Sequence, residues 1–273
     1  TLWHTLSLHD ALPIWSEDMD TFRRYGRGKG SIADWRRENI NHMVRRVNAA
    51  IKSAKPYVRF GISPFGIWRR GVPAGTTGMN AYSVIYSDAL TWLKEKSLDY
   101  LSPQLYWKIG GNPDYSKLLP WWAQKVKAAE RHIYPGQIVY YVRPGMVRNS
   151  TDKPENAHEI VRQVTLNRGH RSRNVLGNAF FRAVGKNGKL LGPDAFKNLL
   201  KQGIYATPAL PPVMPWLNSD RPDPPEDIHI AAHRGHRMRV KWTAASRAGN
   251  VRKYAVYTVP DRKSTRLNSS HYS

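Results

Sequence analysis

The chain has no cysteine, which excludes disulfides and thiolate-ligated metal sites and leaves the redox compartment unmarked. Acidic residues are scarce: 20 Asp and Glu stand against 43 Lys and Arg, for a formal net charge of +23. Long apolar runs are missing too, and none approaches the ~20 residues needed to cross a bilayer. A balance this basic suits anionic surroundings (nucleic acid, anionic lipid or an acidic wall polymer) or else a generally basic proteome. The cations are spread out, with no Lys/Arg block and no nucleic-acid-binding motif beside them. What the 273 residues do hold is a 41% apolar share, with 10 Trp and 14 Tyr. That share is enough for a sizeable core.

Two segments repeat one pattern: Phe60–Trp68 and Tyr100–Trp107. Each opens on a short apolar run that reads as a buried strand. Each then reaches Ser-Pro, at Ser63-Pro64 and Ser102-Pro103, where the ring removes a backbone donor and predicts disrupted pairing. Aromatic and polar side chains follow, at the C-terminal strand end that carries ligand sites in βα folds. Phe65, Trp68, Gln104, Tyr106 and Trp107 are therefore candidates for substrate contact. The tryptophans suit stacking on sugar rings, against the alternative of packing loops over a barrel mouth. Gln104 and Tyr106 share a face opposite Leu105, so Gln104 reads either as a donor to sugar hydroxyls or as a buried structural amide. Tyr140 and Tyr141 adjoin, so only one faces inward, and Tyr141 joins the candidates. Trp35 and Arg36 begin a helix at the end nearest the site, where Arg36 suits a carboxylate.

Predicted helices cover Asp34–Lys55, Ala81–Lys96, Tyr115–Arg131, Pro154–Asn167 and Asp194–Gln202. The first carries Ile40, Met43, Val44, Val47, Ile51 and Ala54 at helical spacing, follows a capping signal at Ser31–Asp34 and stops at Pro56. The second turns Ile85, Ala89, Trp92 and Leu93 inward. Predicted strands cover Val58–Ser63, Asp99–Leu105, Gln137–Val142 and Val175–Phe181, about 40 residues apart with a helix in each interval. That is the rhythm of parallel βα units. Four units are half of an eightfold barrel or most of a doubly wound sheet, and aromatics at successive strand ends favour the barrel. The fold expected is α/β, a (β/α)8 TIM barrel truncated to about its last four βα units.

Beyond Tyr205, Pro208, Pro211, Pro212 and Pro215 mark a stiff linker ending at Trp216. Pro222–Pro225 then introduces alternating stretches at Ile228–Ala231, Met238–Trp242 and Tyr254–Val259, which resemble the start of a fibronectin type III β-sandwich. Thr5–Ile14 and Asp261–His271 resemble translated sequencing adapters and are excluded from fold reasoning. The organisation expected is residues 1–14 and 261–273 adapter-derived, 15–217 the C-terminal barrel half, and 218–260 a truncated sandwich. Tyr25–Gly30 lacks phosphate-loop spacing and reads as a basic loop. His229, His233 and His236 lack an accompanying ligand set and belong on the sandwich surface.

The run Asp34-Trp35-Arg36-Arg37-Glu38-Asn39-Ile40-Asn41, followed by Phe60–Trp68, Asp99–Trp107 and Trp121-Trp122, is similar to the bacterial glycosyl-hydrolase-like family 10, also called domain of unknown function 187. The resemblance extends from about Trp15 to Trp216. It implies a TIM-barrel protein of the cell envelope, a glycoside hydrolase whose partner is a polysaccharide, the glycan of peptidoglycan. It implies no cofactor, no metal and no nucleic acid, and membrane attachment only through an N-terminal signal or lipid anchor outside this sequence. Glycoside hydrolysis uses two carboxyl groups, and the family's acidic segment is expected upstream of Trp15. Within the chain Asp114, in a loop on the active face, is the candidate, whereas Asp88 lies on a helix, Asp99 at the opposite strand end and Glu38 on a surface. With half the barrel absent, the excised chain is expected to be inactive and poorly stable. The alternative is a protein on the same fold that binds carbohydrate without cleaving it.

Overall fold

Helix α1 (Met19–Tyr25) leads into the long helix α2 (Ile32–Ala54). At the start of α2, the Ser31 hydroxyl accepts the Asp34 N–H at 3.2 Å, and the Asp34 carboxylate accepts the Ser31 N–H at 3.2 Å. This reciprocal cap is the one the sequence announces. The buried stripe of α2 differs from the predicted one: it is Trp35, Arg36, Asn41 and Val44. Asn41 accepts the buried indole N–H of Trp92 at 2.7 Å, which fixes the rotation of the helix. Met43 and Val47 are thereby turned out, 58% and 40% exposed.

The computed structural model describes residues 18–139, 154–181, 198, 200–207, 209–217, 223–233, 237–244 and 256. The chain divides into two units, Thr1–Ala206 and Thr207–Ser273. In the first, β1 (Gly61–Ile62), β2 (Tyr100–Leu101) and β3 (His132–Ile133) form a parallel sheet with Gly61 opposite Tyr100 and Tyr100 opposite His132. Past Tyr134-Pro135 the third line continues as β4 (Gly136–Ile138), parallel to β5 (Ala179–Phe181). Neighbouring strands are thus successive in sequence, with no reversal of order. Helices fill the intervals: α3 (Ala81–Val84) and α4 (Ala89–Lys94), α5 (Tyr115–Ala128) and α6 (Pro154–Gly169).

Predicted helix Ala81–Lys96 is two pieces. Tyr86 takes a left-handed φ of 53°, and Asp88 caps α4 by accepting the Thr91 N–H at 3.5 Å and the Thr91 hydroxyl at 2.7 Å. Ile85, predicted inward, falls in the break and is 45% exposed, whereas Ala89, Trp92 and Leu93 are buried. The predicted helix Asp194–Gln202 lies mostly outside the described residues, which resume as a π-helical turn, Leu200–Ile204. The second unit contains the antiparallel pair β6 (Glu226–His233) and β7 (Arg237–Thr243). Of the predicted strand Tyr254–Val259 only Val256 is described.

Alternation separates the two sheet faces. Leu101, Leu105, Ile133 and Val175 pack with Leu118, Trp122 and Val126 of α5 in the core. The other face carries Tyr100 and Tyr134, edge to face at 5.1 Å, and His132. At the N-terminal strand ends the buried Asp99 carboxylate accepts Lys52 Nζ and the Phe60 N–H, both at 2.6 Å.

Burial, aided by the charges of Arg59 and Arg131, depresses His132 from 6.5 to about 4. The unfolded chain therefore takes up this proton first. Stability from neutral His132 is intact above pH 6.5 and is lost as pH falls towards 4, by at most about 3 kcal/mol. Urea unfolding at pH 7 and pH 4.5 should show that loss, and His132→Gln should flatten it. An equal slope in both proteins would refute the assignment.

Candidate functional site

Three prolines stand level across the sheet. The carbonyl of Pro64 accepts the Gln104 N–H at 3.0 Å, that of Pro103 the Gly136 N–H at 2.8 Å, and that of Pro135 the Ala179 N–H at 3.0 Å. Each ring deletes a donor, yet each carbonyl carries the ladder one residue further, through bridges Phe65–Gln104 and Gln104–Gly136. Pairing therefore does not end at Ser-Pro, as the sequence predicts. In parallel register the missing Pro64 N–H would have met the Ser102 carbonyl. The Ser63 hydroxyl donates to that carbonyl instead, at 2.8 Å. A serine before proline thus returns the hydrogen bond that proline removes.

Four predicted site residues come together beyond this row. Gln104 is bridged to both neighbours, and its amide Nε2 donates to the Ser63 carbonyl at 3.1 Å. Tyr106 stacks on Phe181 with ring centroids 5.7 Å apart and planes 25° from parallel. Burial raises the Tyr106 phenol pKa, so the hydroxyl stays protonated and able to donate. Trp107 meets Phe65 edge to face at 5.8 Å. The loop beyond is tied to α6: Gln163 Nε2 donates to the Trp107 carbonyl at 3.0 Å, and Glu159 accepts the Ile109 N–H at 2.7 Å. Gln137, fully buried on β4, donates to Gln163 at 3.2 Å. Phe181, 47% exposed, was not singled out from sequence. Its position at the end of a predicted strand was the available signal.

The other candidates sit elsewhere. Trp68 packs between Tyr82 at 5.7 Å and Trp121 at 6.1 Å, and its indole N–H donates to Asp88. The Arg69 guanidinium lies over both the Trp68 and Tyr82 rings, at 4.3 and 3.7 Å. Trp35 is buried against Phe22. Arg36 is buried as well. Its fork donates to both Asp18 oxygens at 2.5 and 2.6 Å and to the Tyr86 hydroxyl at 2.7 Å. Tyr141 lies outside the described residues.

Asp114 caps α5. One oxygen, Oδ1, accepts the Gly110 N–H at 2.9 Å, the Ser116 N–H at 2.8 Å and the Ser116 hydroxyl at 2.7 Å. Burial pushes its pKa up, but these hydrogen bonds and the Lys117 charge outweigh that and hold it below the usual range. An ionised anchor results, not a proton donor at neutral pH. The other described carboxylates of this unit are held too. Asp34 meets Arg37, Asp99 meets Lys52, and Glu38 and Glu95 share Arg45. Glu130 meets Lys96, Asp20 meets Arg23, and Glu159 meets Arg162. Among the described residues no cluster of acids or histidines could hold a metal ion.

The family model described as glycosyl hydrolase-like 10 matches residues 12–153, which include Phe65, Gln104, Tyr106 and Trp107. The chain belongs to this family. It is 36% identical over 260 residues to glycosyl hydrolase YngK of Bacillus subtilis (strain 168), a match covering 92% of the chain and 49% of that relative. It is 37% identical over 156 residues to glycosyl hydrolase DigH of Escherichia coli (strain K12), covering 55% of the chain and 36% of that relative. The chain thus spans about half the length of YngK, and its match to DigH covers a smaller share still. For a member of the glycosyl hydrolase-like 10 family, a mixed α/β unit with aromatic rings at parallel strand ends is a coherent scaffold.

Proposed function

We propose that this chain supplies the sugar-binding wall of a cell-envelope glycoside hydrolase acting on glycan strands, those of peptidoglycan first. The observation that carries the reading is the Tyr106–Phe181 ring pair standing beside Gln104 past a level row of strand ends. Parallel rings offer a face to the C–H side of a pyranose, and the amide offers hydrogen bonds to hydroxyls. Strands that neighbour one another in sequence order support a (β/α)8 barrel over a doubly wound sheet, whose order reverses. The β6–β7 pair suits the opening of a fibronectin type III-like module. Replacing Tyr106 by alanine should weaken binding of an N-acetylglucosamine tetrasaccharide up to about tenfold, the scale of one aromatic contact. Unchanged affinity in a calorimetric titration would count against the site.

The second reading is carbohydrate binding without cleavage on the same fold. It is favoured by one observation: every carboxylate whose side chain is described between residues 18 and 206 already serves a cap, an ion pair or a backbone amide. Incubating the intact parent with denuded glycan strands separates the two. New reducing ends support the hydrolase, and binding without shortening supports the binding protein.

A further inference from the structure

Helix α5 has a second, outward face. Leu118, Trp122 and Val126 point into the core, while Pro120, Trp121, Gln124, Lys127 and Ala128 line a groove of about 600 Å3 together with Arg173. That volume falls within the ~300–1,000 Å3 of ligand sites. Arg173 comes from the short 3-10 turn Arg171–Arg173 after α6, so two elements build the groove. Its lining shares no residue with the strand-end group Phe65, Gln104, Tyr106 and Trp107. Its apolar lining is Trp121, Pro120 and Ala128. Trp121 is held in place by Trp68, stacked at 6.1 Å, and by Trp122, edge-on at 4.8 Å. Its polar lining is an amide and two cations, and no carboxylate lines it. Neither Lys127 nor Arg173 belongs to an ion pair among the described residues.

We infer that this groove is a separate binding site for an acidic sugar of a glycan chain. The inference rests on the glycan reading above and names the sugar that the second site would choose. Trp121 would take the apolar face of a pyranose, Gln124 its hydroxyls, and Lys127 with Arg173 its carboxylate. A neutral sugar gains nothing from the cations, so charge sets the preference.

The test uses the full chain and two probes: a tetrasaccharide alternating N-acetylglucosamine with N-acetylmuramic acid, and the neutral N-acetylglucosamine tetrasaccharide. Lys127 and Arg173 are exposed, so the double substitution K127Q/R173Q leaves the fold intact, as an unchanged circular dichroism spectrum would show. It should weaken the acidic probe about tenfold, two exposed ion pairs' worth, and leave the neutral probe unchanged. The difference between probes should shrink as salt rises. Equal binding of the acidic probe by both proteins overturns the inference. So does a single-stranded oligonucleotide that binds as tightly and is lost on the same substitution. Tyr106→Ala keeps the two sites apart. Loss of the neutral probe on Tyr106→Ala, with no effect of K127Q/R173Q, sinks the groove and keeps the strand-end site. The reverse pattern keeps the groove and sinks the strand-end site.

Discussion

Replacing Trp122 by alanine is expected to remove about 5 kcal/mol of stability, comparable with the whole margin of a small domain. The indole is completely buried in the core between α5 and the sheet. Truncating a buried tryptophan costs about 3–5 kcal/mol through lost contacts and the cavity left behind. Its N–H also donates to the Gly66 carbonyl at 2.8 Å, and an orphaned buried acceptor adds about 1–3 kcal/mol. Trp122→Phe keeps most of the ring volume and loses the donor, so it should show mainly the second contribution. Urea midpoints of the three proteins measure both. If alanine and phenylalanine were equally mild, the packing account would be wrong.

Gly66→Ala should be nearly as severe, about 3–5 kcal/mol, although it adds a single methyl group. A Cβ at Gly66 would lie 2.3 Å from the Gln104 carbonyl oxygen and 2.8 Å from the Trp107 ring. The first neighbour is backbone of the adjacent strand and cannot swing aside. The two strands must part where Phe65 is bridged to Gln104, and such overpacking costs about 1–3 kcal/mol. Parting them also strains the hydrogen bond to Trp122, which brings the cost of an unsatisfied acceptor. The substitution should therefore lower the sugar affinity proposed for this site along with stability, because Gln104 and Trp107 move together. A destabilised protein with wild-type affinity, measured well below its melting temperature, would show that Gly66 does not position the site.

Much of the scaffold was legible because its signals are local. The Ser31–Asp34 cap, the stop at Pro56 and the positions of Ala89, Trp92 and Leu93 follow from spacing and side-chain chemistry alone. Two of the departures were decided by partners far away in sequence. Met43 and Val47 carry the right period, but Asn41 bonds Trp92 and turns the helix away from them. Arg36 reads as a site cation suited to a substrate carboxylate until Asp18 and Tyr86 close on its fork. Ile85 reads as core until Tyr86 takes a left-handed conformation and the helix breaks. Phe65, Gln104, Tyr106 and Trp107 all follow Ser-Pro, and that position alone makes them candidates for the proposed site. The third member of the proline row, Pro135, was missed because tyrosine precedes it rather than serine. Asp114 reads as a loop carboxylate, and its cap on α5 appears only once Gly110 and Ser116 are seen to bond it.

Trp68, Trp121 and Trp122 have ring centroids 6.1 and 4.8 Å apart along the chain of contacts. Indoles this close share their electronic excitations. The trio should give a paired positive and negative band in ultraviolet circular dichroism that isolated tryptophans lack. One indole comes from the β1 exit loop and two from α5, so the part of the band that Trp68 adds exists only while loop and helix are docked. The protein therefore carries its own optical gauge of whether the wall behind the strand ends is assembled.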